Sequence, residues 1–550
     1  MIPAVVLALA LLQPPDPPVL REIVLEGVTF FEREQVLKAI RLKPGGRFHR
    51  DPAEVAASLR AHYEAQCFFA VRVVPSFDAG TGRLTLTVDE GKMAALDIEG
   101  LEGDEEARIR EILGIEPGTP LRDKTVREAM DRLEEATGGA YRIEGGPPWT
   151  TAEGTDGPTL QLRVVHRRFR LRPLLSGPDA SPFHNRVDGT APGLGVDVTV
   201  FGGASRNHLS VYGRAAYGFG ADTWRYAVGA RRSFGLDQLV TVGYERHDLT
   251  DTDDLFRRRP IEGPRGRPIP LHIVDDYFQR RGDEAYVFLR PTPRLNFGVN
   301  FRSDTHASLP VVADDWILFI SRRPRPNPAA GEGTMRSLLF TGRWVRHDAL
   351  FPSFDLERES FLLSSPYGTP FEHAQGARVE ATYEVSSDGL GSDFSFQRLT
   401  GQARASRSVG TRHVLMGRVL TGLTRGTPPP QRVLALGGLG TLRGYALKEF
   451  VGEQALLGTV EWTIETRPRY PALVLFADGG SAWGGGGGGA AGGGTGPGGR
   501  ADRGFKADAG VGLEYRIFNR GWARVDLAVP FQPSPGADRA RVYGMVRLPF

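Results

Sequence analysis

The sequence predicts a membrane β-barrel preceded by two small α+β modules. Three observations carry that expectation: a repeat with an offset of 73 positions across residues 20–166, period-two alternation that replaces helical periodicity from about residue 167, and a final strand ending on an aromatic residue. Composition narrows the field. The 550 residues include 70 Gly, 40 Pro and 30 Phe but a single cysteine, Cys67, which excludes a disulfide framework and any multi-cysteine metal site. Outside the short apolar stretch 2–12, no run approaches the roughly 20 apolar residues that a membrane-crossing helix needs. Charge divides the chain: residues 20–166 hold 19 Lys and Arg against 26 Asp and Glu, whereas 167–550 hold 49 against 38. These basic groups are interleaved with carboxylates and carry no nucleic-acid-binding signature, so nucleic acid is not the expected partner.

Residues 1–18 read as a signal peptide and a Pro-rich spacer, with Ala8-Leu9-Ala10 supplying small residues of the cleavage type. The repeat follows. Segment 20–27 reads as a strand ending at Gly27, and 93–100 repeats it, while the same offset maps Pro44-Gly45 onto Pro117-Gly118. Each copy continues with a short helix (32–40; 105–113), the Pro-Gly turn, a longer amphipathic helix (52–65; 122–136) and two strands, among them 84–88 and 160–164. The order is βααββ, twice, with modules at 19–92 and 93–166. In the remaining part, 167–550, Leu295, Phe297, Val299 and Phe301 oppose Asn296, Gly298, Asn300 and Arg302. Phe505 to Ile517 alternate in the same way with Lys506 to Arg516. Strands of about ten residues with one apolar and one charged face suit a barrel with a polar lumen. The last strand places Val546, Leu548 and Phe550 on its apolar face. Counting back from Phe550, turns at 519–521 and 466–471 fall on one side and long connections at 532–540, 484–499 and 424–454 on the other. Segments 249–282 and 322–333 read as long irregular stretches.

The long connection contains Arg443-Gly444-Tyr445. The next two strands contain Glu461 and Phe476-Ala-Asp478-Gly-Gly480. Together these resemble the BamA/TamA outer-membrane assembly superfamily, which includes the two-partner secretion transporters, and the βααββ repeats look like its POTRA domains. The resemblance implies about 16 antiparallel strands. It also implies a sixth extracellular loop folded back into the lumen, where the Arg meets the strand Glu and the Asp of the Phe-x-Asp-x-Gly strand. Periodicity independently turns Glu461 and Asp478 inward, with Leu473, Leu475 and Ala477 toward lipid. Two POTRA modules match the count of the secretion transporters, although the plug helix of those proteins has no counterpart in the roughly 20 residues ahead of the first module here.

The expected function is insertion or translocation of polypeptides at the outer membrane of a Gram-negative-type bacterium, with the POTRA modules in the periplasm. The alternatives are a dedicated two-partner-type secretion transporter and, from another class, a passive diffusion porin. Expected partners are unfolded outer-membrane or secreted polypeptides, outer-membrane lipid and periplasmic accessory proteins or chaperones. No catalytic residue, metal or cofactor is expected: the Gly-rich 484–499 lacks a following Gly-Lys-Ser/Thr, and the sequence has no Gly-x-Ser-x-Gly or His-Glu-x-x-His. His247-Asp248 and His347-Asp348 read as solvated strand-end residues, and Arg257 to Arg259 as an exposed loop charge run.

Overall fold

The computed structural model describes residues 18–547 except 66–67, 138, 146–150, 155–156, 177–183, 203–206, 236–238, 254–268, 271–275, 293, 314, 318–319, 323–325, 347–375, 411, 467–470, 485–503, 518–520 and 533–539. The signal-peptide stretch, Leu548, Phe550, His347-Asp348 and Arg257 to Arg259 lie outside the described residues. The chain forms two units, one of residues 1–134 and 141–166 and the other of 135–140 and 167–550.

In the first unit the first repeat is β1 (Glu22–Glu26), α1 (Arg33–Ile40), α2 (Pro52–Glu64), β2 (Arg72–Asp78) and β3 (Arg83–Asp89), with sheet order β1-β3-β2. Helix α2 starts because Pro52 presets the first helical φ and the Asp51 carboxylate accepts from the Ala53 N–H at 2.9 Å. Its apolar face, Val55, Leu59 and Tyr63, packs with Val36 and Ile40 of α1 onto Ile23, Leu84 and Leu86 of the sheet. The second repeat has β4 (Ala95–Glu99), α3 (Gly103–Leu113), α4 (Asp123–Thr137), β5 (Tyr141–Glu144) and β7 (Gly157–His166), plus a short strand β6 (Thr151–Gly154) that the periodicity did not signal. Hydrogen bonds show the two repeats to be one design. Gly45 donates to the Leu20 carbonyl and Gly118 to that of Met93, each at 2.7 Å, while Leu20 donates to Gly46 at 2.8 Å and Met93 to Thr119 at 2.9 Å. Every partner is displaced by the same offset. Both turn glycines sit at positive φ, +97° and +86°, which is why glycine recurs there.

Glu90, buried after β3, ties the first repeat together. Its carboxylate accepts from the Thr29 and Phe30 amides, each at 2.9 Å, from the Thr29 hydroxyl, and from Tyr63 Oη at 2.8 Å. Burial pushes this carboxyl up, but the four donors outweigh it and hold it below the ordinary carboxylate range. The tyrosine hydroxyl is raised by burial and by Glu90 and stays a donor. Where the repeats meet, the Arg122 guanidinium lies over the rings of Phe30 and Phe68, 4.5 and 5.0 Å from their centroids, and the Phe69 amide donates to Leu121 at 3.2 Å.

The second unit is a barrel of sixteen antiparallel strands: β8 (Phe169–Ser176), β9 (Gly193–Phe201), β10 (His208–Gly218), β11 (Thr223–Phe234), β12 (Val240–Asp251), β13 (Phe278–Thr292), β14 (Leu295–Ser308), β15 (Gly333–Arg346), β16 (Gly376–Ser386), β17 (Ser395–Val409), β18 (His413–Thr427), β19 (Gln454–Ile464), β20 (Ala472–Trp483), β21 (Lys506–Ile517), β22 (Gly521–Pro530) and β23 (Arg541–Arg547). Each pairs with the next in sequence, and the seam lies between β8 and β23. The strands number sixteen, as the resemblance implied, and run from 7 to 15 residues. One expectation needs correction: 249–282 is not irregular throughout, since β12 extends to Asp251 and β13 begins at Phe278, their charged inward residues being paired across strands. With an even strand number the chain enters and leaves at the same end. The connections 202–207, 235–239, 410–412 and 465–471 lie at that end and 252–277, 309–332 and 428–453 at the other. Against the expected asymmetry, β15 ends and β16 begins on the side of the short turns although 29 residues separate them in sequence.

Inside and outside differ in kind. Leu194, Val211, Val228, Val287, Phe297, Phe340, Val419, Val460 and Val525 are exposed on the outer face, whereas Arg231, Glu245, His247, Asp304, Arg398 and Asp508 are buried inside. His247 is thus not a solvated strand-end residue. It is fully buried, with Nε2 3.0 Å from Asp304 Oδ1, and Asp248 lies 3.0 Å from Arg225 Nη1. Strand pairing supplies their partners, Asp304 for His247 and Arg225 for Asp248.

Two outcomes test this description. The full-length protein should need detergent and should migrate faster on a gel unheated than boiled, because a closed barrel offers no free edge from which to unravel. Detergent-free solubility without a heat-dependent shift contradicts it. In a fragment of residues 18–166, Glu90→Gln should cost about 1–3 kcal/mol in urea unfolding, the range for stripping a buried multiply bonded acceptor. Because the folded-state acidity of Glu90 is strengthened, its contribution is complete above the unfolded carboxyl range, near pH 4.5, and is lost as the pH falls through the lower folded value. The pH dependence below that point should be shallower in Glu90→Gln.

Candidate functional site

The connection 428–453 does not stay at the rim. A short strand pair, Leu434–Leu436 with Phe450–Gly452, carries it into the lumen, and Leu434, Leu436, Leu442, Tyr445 and Phe450 bury themselves against Leu420, Ala455, Leu457 and Ala482 of the barrel wall. Glycines on the wall make room. A Cβ on Gly422 would stand 2.5 Å from Leu434 Cδ1, and one on Gly480 would stand 2.5 Å from the Leu456 carbonyl and 3.3 Å from Leu436 Cδ1. Arg418 on β18 donates from Nη1 to the Gly440 carbonyl at 2.7 Å.

At the foot of this loop Arg443 is 2% exposed and meets three strands at mid-height. Its Nε donates to Asp478 Oδ2 at 2.7 Å and its Nη2 to Asp478 Oδ1 at 3.0 Å, a two-point fork on β20. Nη1 donates to Glu461 Oε1 on β19 at 2.6 Å and to Asp526 Oδ2 on β22 at 3.2 Å. The Phe476 ring lies beneath the guanidinium, 3.5 Å from Cζ to the ring centroid. A second cation completes the cluster: Arg524 donates to Glu461 Oε1 at 3.0 Å through Nη2 and to Asp526 Oδ1 at 2.7 Å through Nε. Two guanidinium groups therefore interlock with three carboxylates. Buried charges of this kind persist only when paired and hydrogen-bonded, and here each carboxylate is.

Gly444 and Tyr445 seat the loop. A Cβ on Gly444 would come within 2.6 Å of Asp508 Cβ and 2.8 Å of the Pro530 nitrogen, so the backbone passes where no side chain fits. The fully buried Tyr445 has its hydroxyl 2.8 Å from Gln532 Oε1 and 3.1 Å from the Ala507 carbonyl, and its ring is edge-on to Phe450 at 5.2 Å. The structure brings together Arg443, Gly444, Tyr445, Glu461, Phe476, Asp478 and Gly480. Val546 lies on β23, opposite Ala523 of the neighbouring β22, and Leu548 and Phe550 fall outside the described residues.

Sequence reasoning missed Arg524, Asp526 and Asp508. A signal existed for the first two: on β22 Arg524 and Asp526 alternate with Val525 and Leu527, which are exposed on the outer face. Asp508 faces Asp478 across the β20–β21 register, is fully buried, and its carboxylate oxygens have no hydrogen-bond partner among the described residues. No one-dimensional pattern marks two carboxylates as neighbours.

Residues 373–543 match the family model described as the Omp85 superfamily domain, and 18–91 match that described as POTRA, a surface antigen variable number repeat. Residues 373–543 are thus similar to an Omp85 superfamily domain and residues 18–91 to a POTRA domain. No curated protein matches the chain. Among solved structures, BamA from Haemophilus ducreyi lacking POTRA domains 1–3 is similar at 12% identity over 97% of this chain and 99% of that one, with a TM-score of 0.44. CdiB from Acinetobacter baumannii is similar at 10% identity over 97% and 90%, with a TM-score of 0.38. POTRA domains 1–3 of Omp85 from Anabaena are similar at 21% identity over 28% of this chain and 66% of that one, with a TM-score of 0.23. The matched segment 373–543 contains β16 to β22 and the start of β23, and so holds the whole arginine cluster.

Removing one partner from a buried pair typically costs about 3–5 kcal/mol, less where luminal water screens it. Arg443→Ala and Arg524→Ala should each lower the temperature at which the barrel loses its fast-migrating form. Arg443→Lys should be defective too, since one ammonium cannot reproduce the fork on Asp478 while reaching Glu461 and Asp526. Asp508→Asn should be neutral or stabilising while Asp478→Asn destabilises, because only the second loses donors. Equal losses for the two Asn variants would contradict the assigned pairing.

Proposed function

We propose that this protein is a non-enzymatic outer-membrane factor that inserts or translocates polypeptides, with residues 19–92 and 93–166 as its two POTRA modules and 167–550 as its barrel. Residues 1–18 act as the export signal and spacer in this reading, and the modules stand in the periplasm. The observation that carries it is the loop clamped by Arg443 inside a barrel of the Omp85 domain. A passive pore needs an open lumen, whereas here a connection of the chain is drawn into the interior and held by buried ion pairs to three strands.

Paired α+β modules ahead of a barrel offer sheet edges. In the first repeat β1 and β2 are edges, and an extended client can add to such an edge through main-chain hydrogen bonds. Outside the inner membrane no nucleotide drives the process, so the client's own folding is its source of free energy. The Glu461, Asp478, Phe476 and Gly480 positions act by holding the loop, and Val546, Leu548 and Phe550 by ending the last strand as a barrel strand should. Dedicated secretion of one exported partner is the neighbouring reading within the same chemistry.

Client assembly in cells making equal membrane amounts of each variant tests the proposal. Arg443→Ala should impair assembly at least tenfold, as a cost above about 1.4 kcal/mol implies, while Arg425→Ala, an exposed arginine at the far end of β18, should leave it unchanged. Wild-type activity of Arg443→Ala would make the loop clamp irrelevant to client handling and favour the porin.

A further inference from the structure

On the wall formed by β11 to β14 the outward side chains are uneven in size. The register sets Ala230, Tyr244, Ala285 and Phe301 side by side in one row and Arg232, Val242, Val287 and Val299 in the next. Both rows face away from the lumen, since Arg231, Tyr286 and Asn300, which lie between them on β11, β13 and β14, are buried inside. Alanine beside tyrosine and phenylalanine leaves a depression, an apolar groove of about 560 Å³ lined by both rows. That volume lies within the roughly 300–1,000 Å³ of small-molecule sites.

One cation borders the groove. Arg232 is exposed, two positions from the end of β11, and its Cζ lies 5.2 Å from the ring centroid of Phe234, the last residue of that strand. The guanidinium therefore leans toward the end of the barrel at which the chain enters and leaves. No carboxylate among the described residues pairs with it. Farther from that end the outward arginines are matched: Arg246 Nη1 is 3.6 Å from Asp283 Oδ1, and Arg281 Nε is 3.9 Å from Asp248 Oδ2. A charge on the lipid face costs least near the membrane interface, where an arginine stem can lie on apolar surface with its head at headgroup level. We propose that this wall binds one glycerophospholipid, with its phosphate on Arg232 and an acyl chain in the groove. The guanidinium offers parallel N–H donors to phosphate oxygens, and burial of the chain supplies the apolar part. Cation and groove at one fixed place separate this site from the lipid that surrounds any barrel. The site requires only that the barrel stand in a membrane.

Native mass spectrometry of the full-length protein in detergent tests this, with dioleoyl phosphatidylglycerol as the probe and diolein, which has the chains without the phosphate, beside it. The wild type should retain one phosphatidylglycerol in preference to diolein, and glycerol phosphate should not displace it. Arg232→Gln should weaken that first binding about fivefold, the share of one arginine at an anionic lipid surface. Ala285→Leu, which fills the floor of the groove and leaves the charge in place, should weaken it as well. Arg407 is the control: it too is exposed two positions from the end of its strand, β17, but it stands opposite Leu415 and outside the groove. Arg407→Gln should bind as the wild type does. All three substitutions face outward, so the heat-dependent gel shift should persist and reports that each variant is folded; should Arg232→Gln lose it, Ala285→Leu carries the comparison. Equal weakening by Arg232→Gln and Arg407→Gln, unaltered binding in Arg232→Gln or in Ala285→Leu, equal retention of diolein, or displacement by glycerol phosphate would each overturn the proposal.

Discussion

Arg443 is the point on which the barrel's interior depends. A guanidinium with five donors in one plane can bond two oxygens of one carboxylate and still reach two more, and Arg443 does so across Asp478, Glu461 and Asp526. Those carboxylates stand on β20, β19 and β22, so one side chain of a loop fixes the spacing of a quarter of the wall. Desolvating it would be prohibitive without these partners, and the partners would repel one another without it. The loop and the wall are consequently stable only together.

Steric fit gives the same interaction its geometry. Phe476 fills the space below the guanidinium, and its own ring lies where a Cβ on Gly510 would be, 2.4 Å from Cζ. Gly422, Gly444 and Gly480 each sit where a side chain would strike the loop or the wall. Elsewhere in the lumen the same pairing rule holds at other strands: Arg231 bonds Asp197 at 2.5 Å, and Arg432, at the start of the loop, reaches Asp253 at 2.8 Å and Glu384 at 3.3 Å. The loop is thus tied at its entry, through Gly440, and at its foot.

The first unit follows a different logic. Each repeat closes its own small core with two helices on a sheet, and in the first Glu90 adds a buried, multiply hydrogen-bonded tie beside that core. Arg122 between Phe30 and Phe68, with the main-chain bond from Phe69 to Leu121, joins the repeats through side chains from both. A glycine, Gly91, lies between them at φ +66°, with the Ala70 carbonyl 2.4 Å from where its Cβ would be, so close packing rather than looseness explains the residue.

Period and spacing made much of this architecture legible along the chain. The offset of the repeats, the βααββ order and the alternation that turns Glu461 and Asp478 inward all depend on local geometry, because a strand's two faces follow from a period of two. The barrel's strand number came from the family resemblance instead. What one dimension could not hold was proximity between distant strands. Arg524 and Asp526 had the right parity but no sign of which loop they would meet, Asp508 faces Asp478 only through the register, and His247 reaches Asp304, far along the chain, because the two stand in one register row on either side of Gly282. Arg378, Arg404 and Arg418 are separated by 26 and 14 positions, and only strand pairing makes them neighbours. Alternation fixes the face on which a charge stands; register and closure, which arise when every strand finds its partner, decide which charge stands opposite.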